Sequence, residues 1–157
     1  MTRTRAAFAL CLLVYLAFSL YQLDLPGLHY DEAFEAVPAV QLLRGQPVTA
    51  FRNSGLFIGG RLYPLMTQDY IGALNTYAAI PFILLLGPTP TALRLMSVLV
   101  GAAGLWLAYL LARDLAQSRT AGLLAAALLC TDPSFIFWNR QGVFVTAVTA
   151  PIGLAAA

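Results

Sequence analysis

Apolar residues run along this chain in long blocks rather than in alternation. Four blocks stand out, at residues 6–23, 70–86, 93–112 and 120–138, and a fifth begins near Val143 and is still apolar at Ala157. Blocks of this length read as helices in apolar surroundings, not as strands. The first would rise about 27 Å, close to the roughly 30 Å hydrocarbon core of a bilayer. Between the first two blocks the pattern changes. Ala33, Ala36, Val37, Val40 and Leu43 recur at helical spacing, with Asp31 at a capping position before them and Arg44-Gly45 and Pro47 after them. This predicts an amphipathic helix over 32–44 lying along the membrane surface, kinked at Pro38. Thr89-Pro90 reads as an N-cap and first-turn pair opening the third block.

The charges sort the blocks. Arg3 and Arg5 precede the first block, and Arg113 and Arg119 flank the short connector between the third and fourth. Both sites belong on the cytoplasmic side by the positive-inside rule, which requires an even number of crossings between them. Block 70–86 contains Asn75 and Pro81 and is the shortest. It is therefore assigned as an interfacial or re-entrant helix, the alternative being a tilted span. The expected topology is a retained signal-anchor span at 6–23, an external loop over 24–90 with surface helices at 32–44 and 70–86, spans at 93–112 and 120–138, and the start of another at 143–157. The fold class is all-α, a polytopic helical membrane protein.

Composition agrees. Of 157 residues, 60% are hydrophobic and 10% charged, and mean hydropathy is +0.76. A soluble domain carries about 25% charged residues, and disorder needs low hydrophobicity. The nine basic residues are all Arg and are scattered, which argues against nucleic acid as a partner. Cys11 and Cys130 both lie in apolar blocks, so neither a disulfide framework nor a cysteine metal site is indicated. A chain that stops inside an apolar block is expected to be the N-terminal portion of a longer protein, inactive alone.

Seven acids occur in the chain, and Asp31, Glu32 and Glu35 fall within five positions, just past the first span. Asp31 and Glu35 are four apart and share a helical face, while Glu32 points about 100° away. One reading is that these acids cap and complement the helix N-terminus. The other is a carboxylate held against apolar walls for general-base work. Asp132 precedes Pro133 within the fourth block, where an acid is costly in lipid but where Asp-Pro also caps a helix restart. Asp69 can cap the surface helix. Arg52 and Arg61 are loop cations, and Arg140 can be an interfacial anchor.

These residues also carry a resemblance. His29-Tyr30-Asp31-Glu32-Ala33 opens a helix ending in Leu42-Leu43-Arg44-Gly45. Gly60-Arg61-Leu62-Tyr63-Pro64, Thr91-Ala92-Leu93-Arg94-Leu95, Thr131-Asp132-Pro133 and Trp138-Asn139-Arg140 follow in order. The series resembles the N-terminal portion of the GT-C membrane glycosyltransferases, in particular the branch with protein O-mannosyltransferases and aminoarabinose lipid A transferases. The resemblance implies inverting transfer of a sugar from a polyprenyl-phosphate donor to a glycan, lipid or protein acceptor on the external face of the inner membrane. By the same resemblance Asp31 is the expected general base and Glu32 its tuning partner. Arg140, Asp69, Arg61 and Glu35 are the candidate substrate-binding residues. The family often has a second acid after that Arg, but Gln141–Thr146 holds none, so no metal cofactor is expected. The competing reading is a non-catalytic membrane scaffold or a truncated remnant. The enzymatic reading requires the Asp31 side chain to stand at a cavity rather than in bulk water.

Overall fold

A computed structural model of the protein describes residues 3–25, 27–68, 72–142 and Gly153. Asp69 and, apart from Gly153, the block from Val143 onward lie outside the described residues.

The first span forms helix α1, Arg3–Leu20. Helix α2, Tyr30–Leu43, begins two residues before the expected start and runs through Pro38. Its cap is not Asp31 but His29, whose Nδ1 accepts the Asp31 amide, while Glu32 returns to the His29 amide to complete a capping box. The arrangement satisfies two of the backbone donors that a helix start leaves unpaired. Beyond α2 the external loop is not purely helical. Strands β1, Gly55–Ile58, and β2, Arg61–Pro64, pair antiparallel with Leu56 opposite Tyr63 and Phe57 opposite Leu62. Gly59 and Gly60, both at positive φ, supply the backbone that a two-residue hairpin turn demands.

Helix α3, Leu74–Leu86, has 13 residues and rises about 20 Å. It is shorter than a bilayer core, although its apolar composition is that of a membrane helix. Helix α4, Pro90–Leu115, opens as expected, with Thr89 Oγ1 accepting the Ala92 amide and Pro90 in the first turn. Both α1 and α4 are long and apolar enough to cross a membrane. The fourth block breaks into α5, Arg119–Thr131, and α6, Pro133–Arg140, bent by 62°. The cause is local. Pro133 cannot continue a hydrogen-bond ladder, and Asp132 caps the restarted helix by accepting the Phe135 amide at 2.6 Å.

Helix α4 is the spine shared by two cores. On one side Ala36 and Ala39 of α2 and Ala79 and Ile83 of α3 pack against Ala92, Leu93 and Met96. On the other, Tyr15 of α1 and Ala126 and Cys130 of α5 pack against Val98 and Leu105. Close approach is set by small residues, as in membrane bundles. A Cβ on Gly122 would stand 2.7 Å from the Tyr109 carbonyl oxygen, and one on Gly101 would meet the Tyr15 hydroxyl and the Asn139 amide. These contacts hold α6, and hence Arg140, against α1 and α4.

Candidate active site

The acids at the start of α2 take three different environments. Glu32 is fully buried. Its Oε1 accepts from Arg94 Nε at 2.8 Å and from the Gly142 amide at 3.0 Å, and its Oε2 from Arg94 Nη2 at 2.8 Å and the His29 amide at 2.7 Å. Burial by itself would raise this carboxyl. The Arg94 hydrogen bonds, the two amides and the Arg94 charge outweigh it and hold the group below its ordinary value. Arg94 in turn donates to the carbonyls of Leu23 and Gly27. One ion pair thus ties together the exit of α1, the start of α2, the second turn of α4 and the turn after α6.

Glu35 is also buried, at 1% exposure, and sits among hydroxyls instead. Thr67 Oγ1 lies 3.1 Å from Oε1, and Thr76 Oγ1 lies 3.1 Å from Oε2 and 3.2 Å from the Glu35 carbonyl oxygen. Burial pushes this carboxyl up, only partly opposed by the two threonines. Glu32 and Glu35 are both buried, although helical spacing sets Glu32 on a different face from Asp31 and Glu35, and Asp31 is only partly covered.

The Asp31 side chain is 39% exposed, and its Oδ2 lies 3.7 Å from His29 Nδ1. Because that nitrogen already accepts the Asp31 amide, the contact is not a hydrogen bond. Among the described residues no donor reaches the Asp31 carboxylate, which makes it the one acid of the three left open.

A cavity of about 720 Å³ lies beside His29 and Glu32. Phe18, Leu23, Leu25 and Leu28 form one apolar wall and Pro133, Ile136 and Phe137 the other, with His29, Glu32, Arg94, Arg140 and Gln141 at the polar end. Asp31 lines neither this cavity nor the clefts around α2, so the expectation that its side chain stands at a cavity is not met; its neighbour His29 is the residue that reaches the lining. Arg140 donates from Nη2 to the carbonyls of Tyr21 at 2.5 Å and Gln22 at 3.3 Å, which fixes the guanidinium at the cavity edge. Volume and lining suit an apolar tail with a charged head.

The remaining candidates lie elsewhere. Arg61 opens β2 just after the hairpin turn, with its guanidinium against Gly45 beyond the end of α2. Glu35 is enclosed between α2, α3 and Thr67, and Asp69 lies outside the described residues. Arg94, by contrast, lines the cavity without having been singled out. Its sequence signal is that it is the only charge in block 93–112, and a charge in a membrane helix has a specific task by default.

Residues 64–141 match the family model described as dolichyl-phosphate-mannose-protein mannosyltransferase. The match is a likeness to a glycosyltransferase family over just under half of the chain, and it supports a membrane glycosyltransferase. It runs from the end of β2 to the turn after α6, so it includes Arg94, Asp132 and Arg140, whereas the acids of α2 precede it. No curated protein and no solved structure matches the chain.

Proposed function

We propose that the protein contributes to an enzyme that transfers a sugar from a polyprenyl-phosphate donor to an acceptor on the external face of the inner membrane. In this reading the apolar walls of the cavity hold the lipid and its polar end the sugar phosphate. Asp31 acts as general base. It takes the proton from an acceptor hydroxyl or amine while that atom bonds to the anomeric carbon, and the bond from that carbon to the phosphate oxygen breaks with inversion. The polyprenyl phosphate leaves with the bonding electron pair, and Arg140 offsets its developing charge. Glu32, whose oxygens are all engaged, is a positioning residue that anchors the turn presenting Asp31. Asp69 remains a candidate for the donor side.

The observation that carries this reading is the division of labour among the three acids. Two are consumed by protein partners, and the third is open, two residues from His29 on the rim of a cavity that offers apolar walls and a guanidinium. A scaffold accounts for the first two, and for the third only as a first-turn charge that complements the helix dipole.

The test is sugar transfer from a polyprenyl-phosphate donor by membranes carrying the full-length protein. Asp31→Asn should cost about 10²–10⁴-fold in kcat, the usual contribution of a positioned base. Activity within a few-fold of the unmodified protein removes Asp31 from that role. Reporter fusions at Ala50 and Ser118 test the orientation, and an external Ser118 would overturn it.

A further inference from the structure

The β1–β2 hairpin has no part in the site described above, yet it displays a run of three large and exposed apolar residues. Leu56, Phe57 and Ile58 are 53, 77 and 60% exposed. Alternation along the strand puts Leu56 and Ile58 on one face and Phe57 on the other, so the tip is apolar on both sides. A two-stranded ribbon alone is marginal in water, and here Phe57 and Leu62 face Leu42 and Val48 only across a cleft. Its base is nevertheless fixed to the protein. Tyr77 of α3 donates its hydroxyl to the Pro64 carbonyl at 2.8 Å, the Leu65 amide donates to Ser54 at 2.8 Å, and the Phe51 amide donates to Met66 at 3.0 Å. An apolar tip held out on an anchored base is built to meet another phase.

The charge around it indicates which one. From residue 36 to residue 68 there is no acid, and the three charged residues, Arg44, Arg52 and Arg61, are all exposed. Arg61 opens β2 beside the tip, and Arg52 lies over the Phe51 ring at the foot of the hairpin. Apolar side chains with cations set just behind them match an anionic bilayer surface, with acyl chains for the tip and headgroup phosphates for the guanidinium groups. The segment is tethered to the bilayer on both sides, through α1 and α4. We infer that the β1–β2 hairpin is a lipid-binding device that inserts Leu56, Phe57 and Ile58 into the outer leaflet while Arg52 and Arg61 bind anionic headgroups. It gives the loop between α2 and α3 a membrane foothold of its own.

The experiment places a fluorescent reporter at the tip. Phe57→Trp is made in the full chain and reconstituted into phosphatidylglycerol–phosphatidylcholine vesicles, and the emission of the unmodified protein, whose tryptophans are Trp106 and Trp138, is subtracted. The added emission should be quenched by brominated phospholipid and protected from acrylamide. Adding Arg52→Gln and Arg61→Gln should weaken docking by about fivefold per arginine, and pure phosphatidylcholine should weaken it likewise. Quenching by acrylamide with no response to brominated lipid overturns the inference. Protection from both quenchers also overturns it, because the tip is then covered by protein. Should Phe57→Trp not fold, Ile58→Trp carries the same reporter on the opposite face. The readout is independent of sugar transfer, so this inference and the proposed function stand or fall separately.

Discussion

Glu32 and Glu35 are the same residue type on the same helix, about one turn apart and equally removed from water, yet they are opposite structures. Glu32 faces a guanidinium and two amides, and its charge is what makes the contact. Glu35 faces two hydroxyls, and its charge is what the contact resists. Burial alone does not decide the state of a carboxyl. The partner does, because a nearby cation and fixed amide dipoles replace the lost hydration whereas two neutral hydroxyls replace only part of it. The consequence reaches the site. The charged pair between α2 and α4 fixes the helix start from which Asp31 projects, while the threonine cage only joins α2 to α3 and the loop before it.

The contrast breaks most sharply at Arg94. Arg94→Met leaves Glu32 buried without its cation and should destabilise the protein by about 3–5 kcal/mol, measured by unfolding in mixed detergent micelles. A loss below about 1 kcal/mol would mean that the pair is not structural. Glu32→Gln keeps the shape but turns one accepting oxygen into a donor that faces donors and leaves Arg94 buried without its counter-charge, so it should cost a similar amount, about 3–5 kcal/mol.

The pH dependence should separate the two residues by sign. Glu32 is held below its ordinary value, so its stabilisation is present above that value and is lost as pH falls through the lowered one. Glu35 is pushed above its ordinary value, so its contribution is present below that value and is lost as pH rises through the raised one. Glu32→Gln should therefore flatten the acid limb of the stability curve and Glu35→Gln the limb above the ordinary carboxyl range. The smallest effect is that of Glu35→Gln near neutral pH, within about 1 kcal/mol. If it equals that of Glu32→Gln, the two environments are not different in kind.

Reading the sequence located this helix but not the duties of its acids. The apolar register of Ala36 and Ala39 and the Gly45 stop are local, so the limits of α2 were legible to within two residues. The cap was not, because His29 and Asp31 both suit that place, and the choice depends on Glu32 turning back to the His29 amide. The break at Asp132-Pro133 was visible as an option but not as a 62° bend. The hairpin was overlooked although Gly59-Gly60 between two apolar runs is a turn signal, because the strong helical blocks on either side drew the loop into a helical reading.

The sequence by itself determined that the protein is a bundle of apolar helices in a membrane, since block length and charge placement are set by the bilayer's thickness and dielectric and need no partner residue. Only the tertiary structure decided which of three neighbouring acids is ion-paired, which is enclosed by threonine hydroxyls and which is open. Those fates depend on Arg94, Thr67, Thr76 and Gly142, which lie 32 to 110 residues away along the chain, and no local pattern encodes electrostatic contacts at that separation.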